Sequence, residues 1–509
     1  MTNDSISRRD VLAAAAAGAA LVAGAGANAQ PKPSQADELT RLTIAEAGKR
    51  IAARTLSPVD LTRAYLERIE KLNPRVNAYI TVTVERARAD ARRATDELVA
   101  GKARGPLHGI PIALKDLYET AGIRTTAGAK IHADYVPAED CTVARRLRDA
   151  GTILLGKLNT HEYAYGVTTT NPHFGATRNP WNLEHIPAGS SGGSGAAIAA
   201  GLATATTGTD TGGSIRMPAS VCGVVGLKPT YGRVSKAGVM PLSYLFDHTG
   251  PITRTVEDAA LMLNVMAGYD PQDAASVRIA VEDYTAGLAA GIRGVRIGVP
   301  RGYFFSQLDG EVAAAVERAL DDLRALGAEV HDIDIAGVEF GVGATFGLVL
   351  AEAQQIHADA LRTRPDDFGD DVRAILVNPT PDPETLMIAL RARDVLSVSM
   401  QCALESVDLL VTPTTPIVAP RIGEELVRYG GVEESILLAM IRCTAPFNAT
   451  GLPALSLPCG FTRAGLPIGL QMVGRPFDES TVLRAGHAYE QATEWHRRTP
   501  GGTLGTRER

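Results

Sequence analysis

Apolar and polar positions along this chain recur with two periods, and the changes between them mark its elements. Leu61, Tyr65, Leu66 and Ile69 repeat at helical spacing behind Ser57-Pro58-Val59-Asp60. That tetrapeptide has the order of an N-cap, a proline at the first helical position and an acidic first turn. Asn73-Pro74 predicts the end of this helix, because a proline pushes the preceding residue out of the α region. Val84 to Ala100 is rich in Arg and Ala and predicts an exposed helix. Ile110 to Leu117 is a short apolar run that reads as a buried strand with Lys115 inside it. Gly151 to Leu155, Val224 to Leu227, Arg296 to Val299 and Leu409 to Val411 (closing at Pro413) read as further strands. Ser194 to Ala203 predicts a helix of very small residues, hence close packing, and Glu311 to Leu326 an amphipathic helix. Helices and short buried strands that alternate in this way predict an α/β layered domain.

No repeat or break in composition divides the chain. Phe340 to Ser406 reads as an inserted helical region, interrupted at Asn378-Pro379-Thr380-Pro381. It either walls a substrate pocket or packs without further role.

The first 29 residues have a different pattern. Ser7-Arg8-Arg9-Asp10-Val11-Leu12 is a twin-arginine motif, followed by an Ala/Gly/Leu/Val stretch and an A-x-A site at Ala27-Asn28-Ala29. The stretch is short and weakly apolar for a membrane span. The expectation is a cleaved signal over 1–29, recognised by the twin-arginine export machinery, and a periplasmic or secreted product without a stable membrane span. A polar linker over 30–36, a main domain over 37–497 and a tail over 498–509 follow.

Composition narrows the function. A net charge of −6 gives no basic footprint for nucleic acid. Cys141, Cys222, Cys402, Cys443 and Cys459 are odd in number and form no C-x-x-C, which predicts free, small apolar thiols rather than a disulfide framework.

The chemistry concentrates in two glycine-rich segments, Pro187-Ala188-Gly189-Ser190-Ser191-Gly192-Gly193-Ser194-Gly195 and Gly208-Thr209-Asp210-Thr211-Gly212-Gly213-Ser214-Ile215-Arg216-Met217-Pro218. Ser190 and Ser214 are 24 positions apart, and Lys115 precedes Ser214 by 99. Glycines let backbone N–H groups turn toward a ligand, so the amides of Thr211, Gly212, Gly213 and Ser214 are candidate oxyanion donors, with Ser214 as nucleophile. Serine needs a base, and lysine serves only when neutral. Its amine would have to fall from about 10.4 to roughly 7–8, at a cost of about 4 kcal/mol that burial supplies. Ile112, Ala113 and Leu114 provide apolar surroundings, and strand alternation should turn Asp116 away from the Lys115 side.

These segments resemble the defining region of the amidase signature hydrolases. The resemblance continues through Gly226-Leu227-Lys228-Pro229-Thr230-Tyr231-Gly232-Arg233, Phe447-Asn448-Ala449-Thr450-Gly451-Leu452-Pro453 and Gly465-Leu466-Pro467-Ile468-Gly469-Leu470-Gln471. It implies a single large α/β/α domain with a central mixed sheet, and a Ser–cis-Ser–Lys triad of Ser214, Ser190 and Lys115. Ser191 would be a hydrogen-bonding support, and Asp210 and Arg216 a structural pair. One position departs from the family, which usually has two glycines where this chain has Ala188-Gly189. The implied activity is hydrolysis of a small-molecule amide, without cofactor or metal, releasing a carboxylate and an amine or ammonia. Esters and carbamates fit the same acyl-enzyme route. The family also includes the amidase component of a tRNA-dependent amidotransferase, which passes ammonia to a charged tRNA.

Other readings are weaker. Gly189 to Gly193 also fits G-x-S-x-G, but Glu184-His185-Ile186-Pro187 is a poor strand to precede a nucleophile elbow. His161-Glu162 begins an H-E-x-x-H pattern that fails at Tyr165. Tyr163, Tyr244 and Phe246 are candidate pocket residues, and Trp181 a packing residue.

Overall fold

Eleven strands join in one mixed sheet in the computed structural model, which describes residues 35–501 and residue 504. They are β1 (Tyr79–Val82), β2 (Pro111–Lys115), β3 (Ile153–Leu158), β4 (Ala205–Asp210), β5 (Val225–Lys228), β6 (His248–Thr253), β7 (Arg296–Pro300), β8 (Glu329–Ile333), β9 (Leu409–Pro413), β10 (Ala454–Phe461) and β11 (Pro467–Val473). Their order across the sheet is β1-β3-β2-β4-β6-β5-β10-β11-β9-β7-β8. The strand β2 runs parallel to both β3 and β4, and β7 parallel to β8 and β9. The remaining neighbours are antiparallel. Every residue of β2, β4, β5, β6, β9 and β11 is buried. Such strands face no solvent, so β2, β5 and β9 read as short apolar runs, whereas β4 and β6 carry buried Thr, Asp and His side chains and show no such run in the sequence.

Helix α1 (Pro58–Val76) starts as its sequence predicts, with the Ser57 side chain accepting from the Val59 N–H. It does not stop at Asn73. Pro74 lies inside it, and Asn77, in the left-handed conformation at φ 53, ends it. Near a helix end the missing proline N–H removes one bond, while one more turn buries Val76 completely. Helix α2 (Val84–Val99) is not fully exposed, because Ala87, Asp90, Ala91 and Ala94 are buried where it packs on α1 and β3. Helix α3 (Gly192–Ala200) is the small-residue helix. A side chain at Gly193 would lie 2.4 Å from the Asn159 carbonyl oxygen, so only glycine permits that approach. Helix α4 (Arg216–Cys222) follows the second glycine-rich segment.

Three helices fill the stretch from 341 to 406: α5 (Gly341–Thr363), α6 (Asp370–Leu376) and α7 (Pro383–Ser406). Leu348, Val349 and Ala353 of α5 and Val372 and Leu376 of α6 share an apolar cluster with Leu117, Ala127, Tyr163, Tyr165 and Leu242 from the sheet side. Each such large side chain contributes about 1.5–3 kcal/mol over its exposed state, so this cluster seats the helices over the C-terminal end of β2.

Cys141, Cys222, Cys443 and Cys459 are buried, Cys402 is exposed, and none is in a disulfide. No described helix is long and apolar enough to cross a membrane. The twin-arginine segment and its cleavage site lie outside the described residues, as does most of the tail. The helix Gln35–Leu39 begins within the stretch read as linker.

Candidate active site

The parallel pairing of β2 with β4 sets the site. It brings the C-terminal ends of both strands to one edge of the sheet, where ligands bind in open α/β folds. Lys115 ends β2, and Thr209 and Asp210 end β4. The Lys115 amine, wholly buried, donates to Ser190 Oγ and to Thr209 Oγ1, both at 2.7 Å. Burial pushes this amine down to about 7, against the opposing pull of Asp247 and Asp210. Asp116 does face away, as alternation predicts. It lies 3.3 Å from the equally buried Lys157 and accepts from Thr126.

Ser190 follows a cis peptide at Gly189–Ser190. The segment is fastened from several sides. The Ser190 carbonyl accepts from the His161 backbone N–H at 3.1 Å and from Thr160 Oγ1 at 3.0 Å. The Ser191 N–H donates to the Ser214 carbonyl at 3.2 Å, and Ser191 Oγ donates to the Thr209 carbonyl at 3.2 Å. Ser191 therefore stitches both serine segments to β4. Ala188, where the family usually has glycine, stands at φ +58. This is the left-handed region that glycine adopts freely and alanine at a cost.

The turn from Thr211 to Ser214 is held by its outward groups. Thr211 Oγ1 donates to Asp247 Oδ1 at 2.6 Å, and Thr444 Oγ1 donates to the Gly212 carbonyl at 2.6 Å. Gly213 has φ +136, and a Cβ there would meet Thr444 Oγ1 at 2.2 Å. The N–H groups of Gly212, Gly213 and Ser214 donate to no acceptor among the described residues. A run of such donors beside a serine can hold a negative oxygen. The Ser214 hydroxyl likewise has no hydrogen-bond partner among the described residues, so the structure joins Lys115 to Ser190 directly and leaves Ser214 beside them with its hydroxyl free.

Beneath the turn, Arg216 and Asp210 form the expected pair. Arg216 Nη2 lies 2.8 Å from Asp210 Oδ1, and its Nε donates to Oδ2 at 2.9 Å. The other guanidinium hydrogens reach Asn448 Oδ1, Gln471 Oε1 and the Thr444 carbonyl. Burial alone would raise the Asp210 carboxyl, but the Arg216 charge and its hydrogen bonds hold it well below the usual range.

A cleft with about 60 Å³ of free space opens at Ser214. Its walls are mostly apolar and include Tyr165, Val167, Met217, Leu242 and Ile441 together with Phe346 and Val349 of α5. The helical stretch therefore does wall the cleft. Tyr163, Tyr244 and Phe246 do not line it. Tyr163 packs on His357 and Phe368, Phe246 is core, and Tyr244 is exposed beside a separate cavity. Trp181 packs against Phe461, as a packing residue should.

Sequence reasoning missed Thr209 and Tyr165. The signal for Thr209 was present, since Thr207 and Thr209 alternate onto one face of β4 and both bond to Lys115, one at the backbone and one at the amine. No strand runs directly into Ser190, and no histidine side chain bonds to Ser190 or Ser214 among the described residues, which removes the nucleophile-elbow reading. His161 and Glu162 pair instead with Asp371 and His173. No group of three or more His, Cys, Asp or Glu side chains converges as metal ligands would among the described residues.

A family model described as Amidase matches residues 60–483. The chain is 45% identical over 489 residues to a glutamyl-tRNA(Gln) amidotransferase subunit of Geobacter metallireducens, covering 91% of this chain and 100% of that protein. It is also 45% identical over 465 residues to "Amidase" of Pseudomonas putida, covering 91% of this chain and 98% of that one. A crystal structure of an amidase superposes with a TM-score of 0.81 at 37% identity, over 89% of this chain and 99% of that one.

Proposed function

The chain belongs to the amidase family, and from that premise we propose that it hydrolyses small-molecule amides through a Ser214 acyl-enzyme. The observation that carries this reading is the wholly buried Lys115 amine, brought down to about 7 and 2.7 Å from Ser190 Oγ. In the neutral state Lys115 takes a proton from Ser190 as Ser190 takes one from Ser214. Ser214 Oγ bonds to the amide carbon, and the oxygen of that carbonyl, now negative, lies against the N–H groups of Thr211 to Ser214. The proton returns through Ser190 to the nitrogen, the C–N bond breaks, and the amine departs. Water then hydrolyses the ester, releasing the carboxylate and restoring Ser214. The apolar cleft favours an aryl or alkyl acyl group. Esters and carbamates that fit it would follow the same route. The twin-arginine segment adds an exported, periplasmic or secreted location to the proposal.

A second reading, the amidase component of a tRNA-dependent amidotransferase, is favoured by the full-length likeness to the Geobacter protein. Such a component working on an amino acid side-chain amide would have to receive an ammonium and a carboxylate. No charged side chain among the described residues lines the cleft to meet them, which supports the hydrolase. The deciding experiment is turnover of a panel of simple amides by the purified protein alone, with Ser214→Ala as control. Ser214-dependent release of amine supports the hydrolase. No turnover alone, with activity restored by partner proteins, supports the second reading.

A further inference from the structure

Tyr165 has a buried hydroxyl without a hydrogen-bond partner, and its side chain lines the cleft at Ser214. Native structures leave few buried polar groups unpaired, and each exception needs a reason. The remaining polar side chains of the cleft wall are accounted for. Thr211 bonds Asp247, Thr345 bonds the Gly341 carbonyl, and Ser214 is the proposed nucleophile.

The backbone holds Tyr165 firmly in this place. Tyr163 and Ala164 stand at φ 50 and φ 62, a left-handed pair that is uncommon for residues other than glycine. The Tyr165 N–H donates to the Glu162 carbonyl at 2.9 Å. A side chain at Gly166 would collide with the His161 ring, and the His161 backbone N–H is bonded to the Ser190 carbonyl. The tyrosine wall and the reactive serine segment are thus one connected structure.

The cleft also has a direction. A leaving nitrogen must sit near Ser190, which returns its proton. Ser190 and Lys115 line neither this cleft nor the second cavity, but Thr209, which accepts from the Lys115 amine, lines the second one with Tyr231, Tyr244 and Asp247. The Tyr165 cleft therefore lies on the acyl side of Ser214.

We propose that Tyr165 is a specificity-determining residue whose hydroxyl donates a hydrogen bond to an oxygen carried on the acyl portion of the substrate. This rests on the amide-hydrolase reading above, and it narrows the acyl group from plain hydrocarbon to one bearing an ether, carbonyl or hydroxyl oxygen.

The test uses anilides matched in length that differ by one CH₂-to-oxygen exchange: butyranilide with methoxyacetanilide, and pentananilide with 3-methoxypropionanilide and ethoxyacetanilide. The readout is the ether-to-hydrocarbon ratio of kcat/KM in the wild type and in Tyr165→Phe. The expected result is a wild-type preference for the ether of about tenfold at one chain position, lost or reversed in Tyr165→Phe. Tyr165→Phe should melt no lower than the wild type, because the hydroxyl it removes has no partner in the free protein. An unchanged ratio, or a lowered melting temperature that reveals a structural bond, overturns the proposal. Binding of the corresponding carboxylic acids to Ser214→Ala, with and without Tyr165→Phe, gives the same ratio without turnover. If neither these anilides nor the panel of simple amides is hydrolysed, the amide-hydrolase reading fails, and the acid-binding ratio still decides the role of Tyr165.

Discussion

Lys115 Nζ lies 2.7 Å from Ser190 Oγ, and among the described residues no carboxylate forms an ion pair with that amine. The two acids that act on it at a distance are committed elsewhere, Asp247 to Thr211 and the N–H groups of Leu242 and Ser243, Asp210 to Arg216 and Asn448. Lys157, one strand over, is just as buried but has Asp116 at 3.3 Å. Burial pushes both amines down, but Lys157 has a carboxylate partner that pulls the other way at 3.3 Å, whereas the Lys115 amine has only hydroxyl partners among the described residues.

The first consequence is a pH dependence. Below about 7 the Lys115 amine is protonated and cannot act as base, and above it the amine is neutral. The value of kcat/KM should therefore rise with pH to a plateau, with its midpoint near 7. Lys115→Arg, charged throughout the accessible range, should lose at least about a thousandfold in rate. A flat profile from about pH 5 to 9 would remove Lys115 from the chemistry.

Thr209→Val removes an acceptor that favours the charged form of Lys115. The limb of the pH profile should shift toward acid, and the plateau should fall by roughly tenfold as the amine loses one of its positioning contacts. A shift toward alkali would contradict the geometry.

Ser190→Ala should slow formation of the acyl-enzyme by several orders of magnitude, with Ser214 still in place. Stopped-flow measurement of the first turnover with an activated amide checks this. An unchanged acylation rate would mean that water, rather than the Ser190 hydroxyl, carries the proton.

Arg216→Met should cost about 3–5 kcal/mol at neutral pH, because it leaves Asp210 charged and buried without its cation. The sign with pH is fixed by linkage. Asp210 titrates lower folded than unfolded, so the contribution of its pairing is full above about 4 and fades as pH falls. The difference from wild type in urea denaturation should therefore narrow in acid.

Ala188→Gly sets two effects of similar size against each other. It relieves about 1–2 kcal/mol of left-handed backbone cost, and it loses a buried methyl worth about 0.8 kcal/mol plus some chain entropy. The net change in urea denaturation should be under about 1 kcal/mol, with activity retained. A larger loss would show that the methyl is locked into the packing.

Arg216 also explains why distant stretches of the chain share one pattern. Asn448 and Gln471 lie in separate family-like segments, and both converge on its guanidinium under the Ser214 turn. A six-residue offset relates Asp210 to Arg216, but nothing local in the sequence relates either to Asn448 or Gln471.

The reactive groups and part of the elements were legible in the sequence: β2, β3, β5, β7 and β9 read as strands, whereas β1, β4, β6, β8, β10 and β11 did not. Apolar runs, the Ser57 cap and the glycine spacing are local properties, and they placed β2, α1 and the serine segments within a few residues. Asp116 turning from Lys115 follows from strand alternation alone. Whatever depends on positions far apart in the chain had to wait for the folded arrangement. Helix α1 passed Pro74 because Val76 found burial, and Tyr165, not Tyr163 or Tyr244, reached the cleft because a left-handed pair redirects the chain. The basicity of Lys115 was settled in the same way, since burial and freedom from an ion pair depend on what surrounds an amine in space.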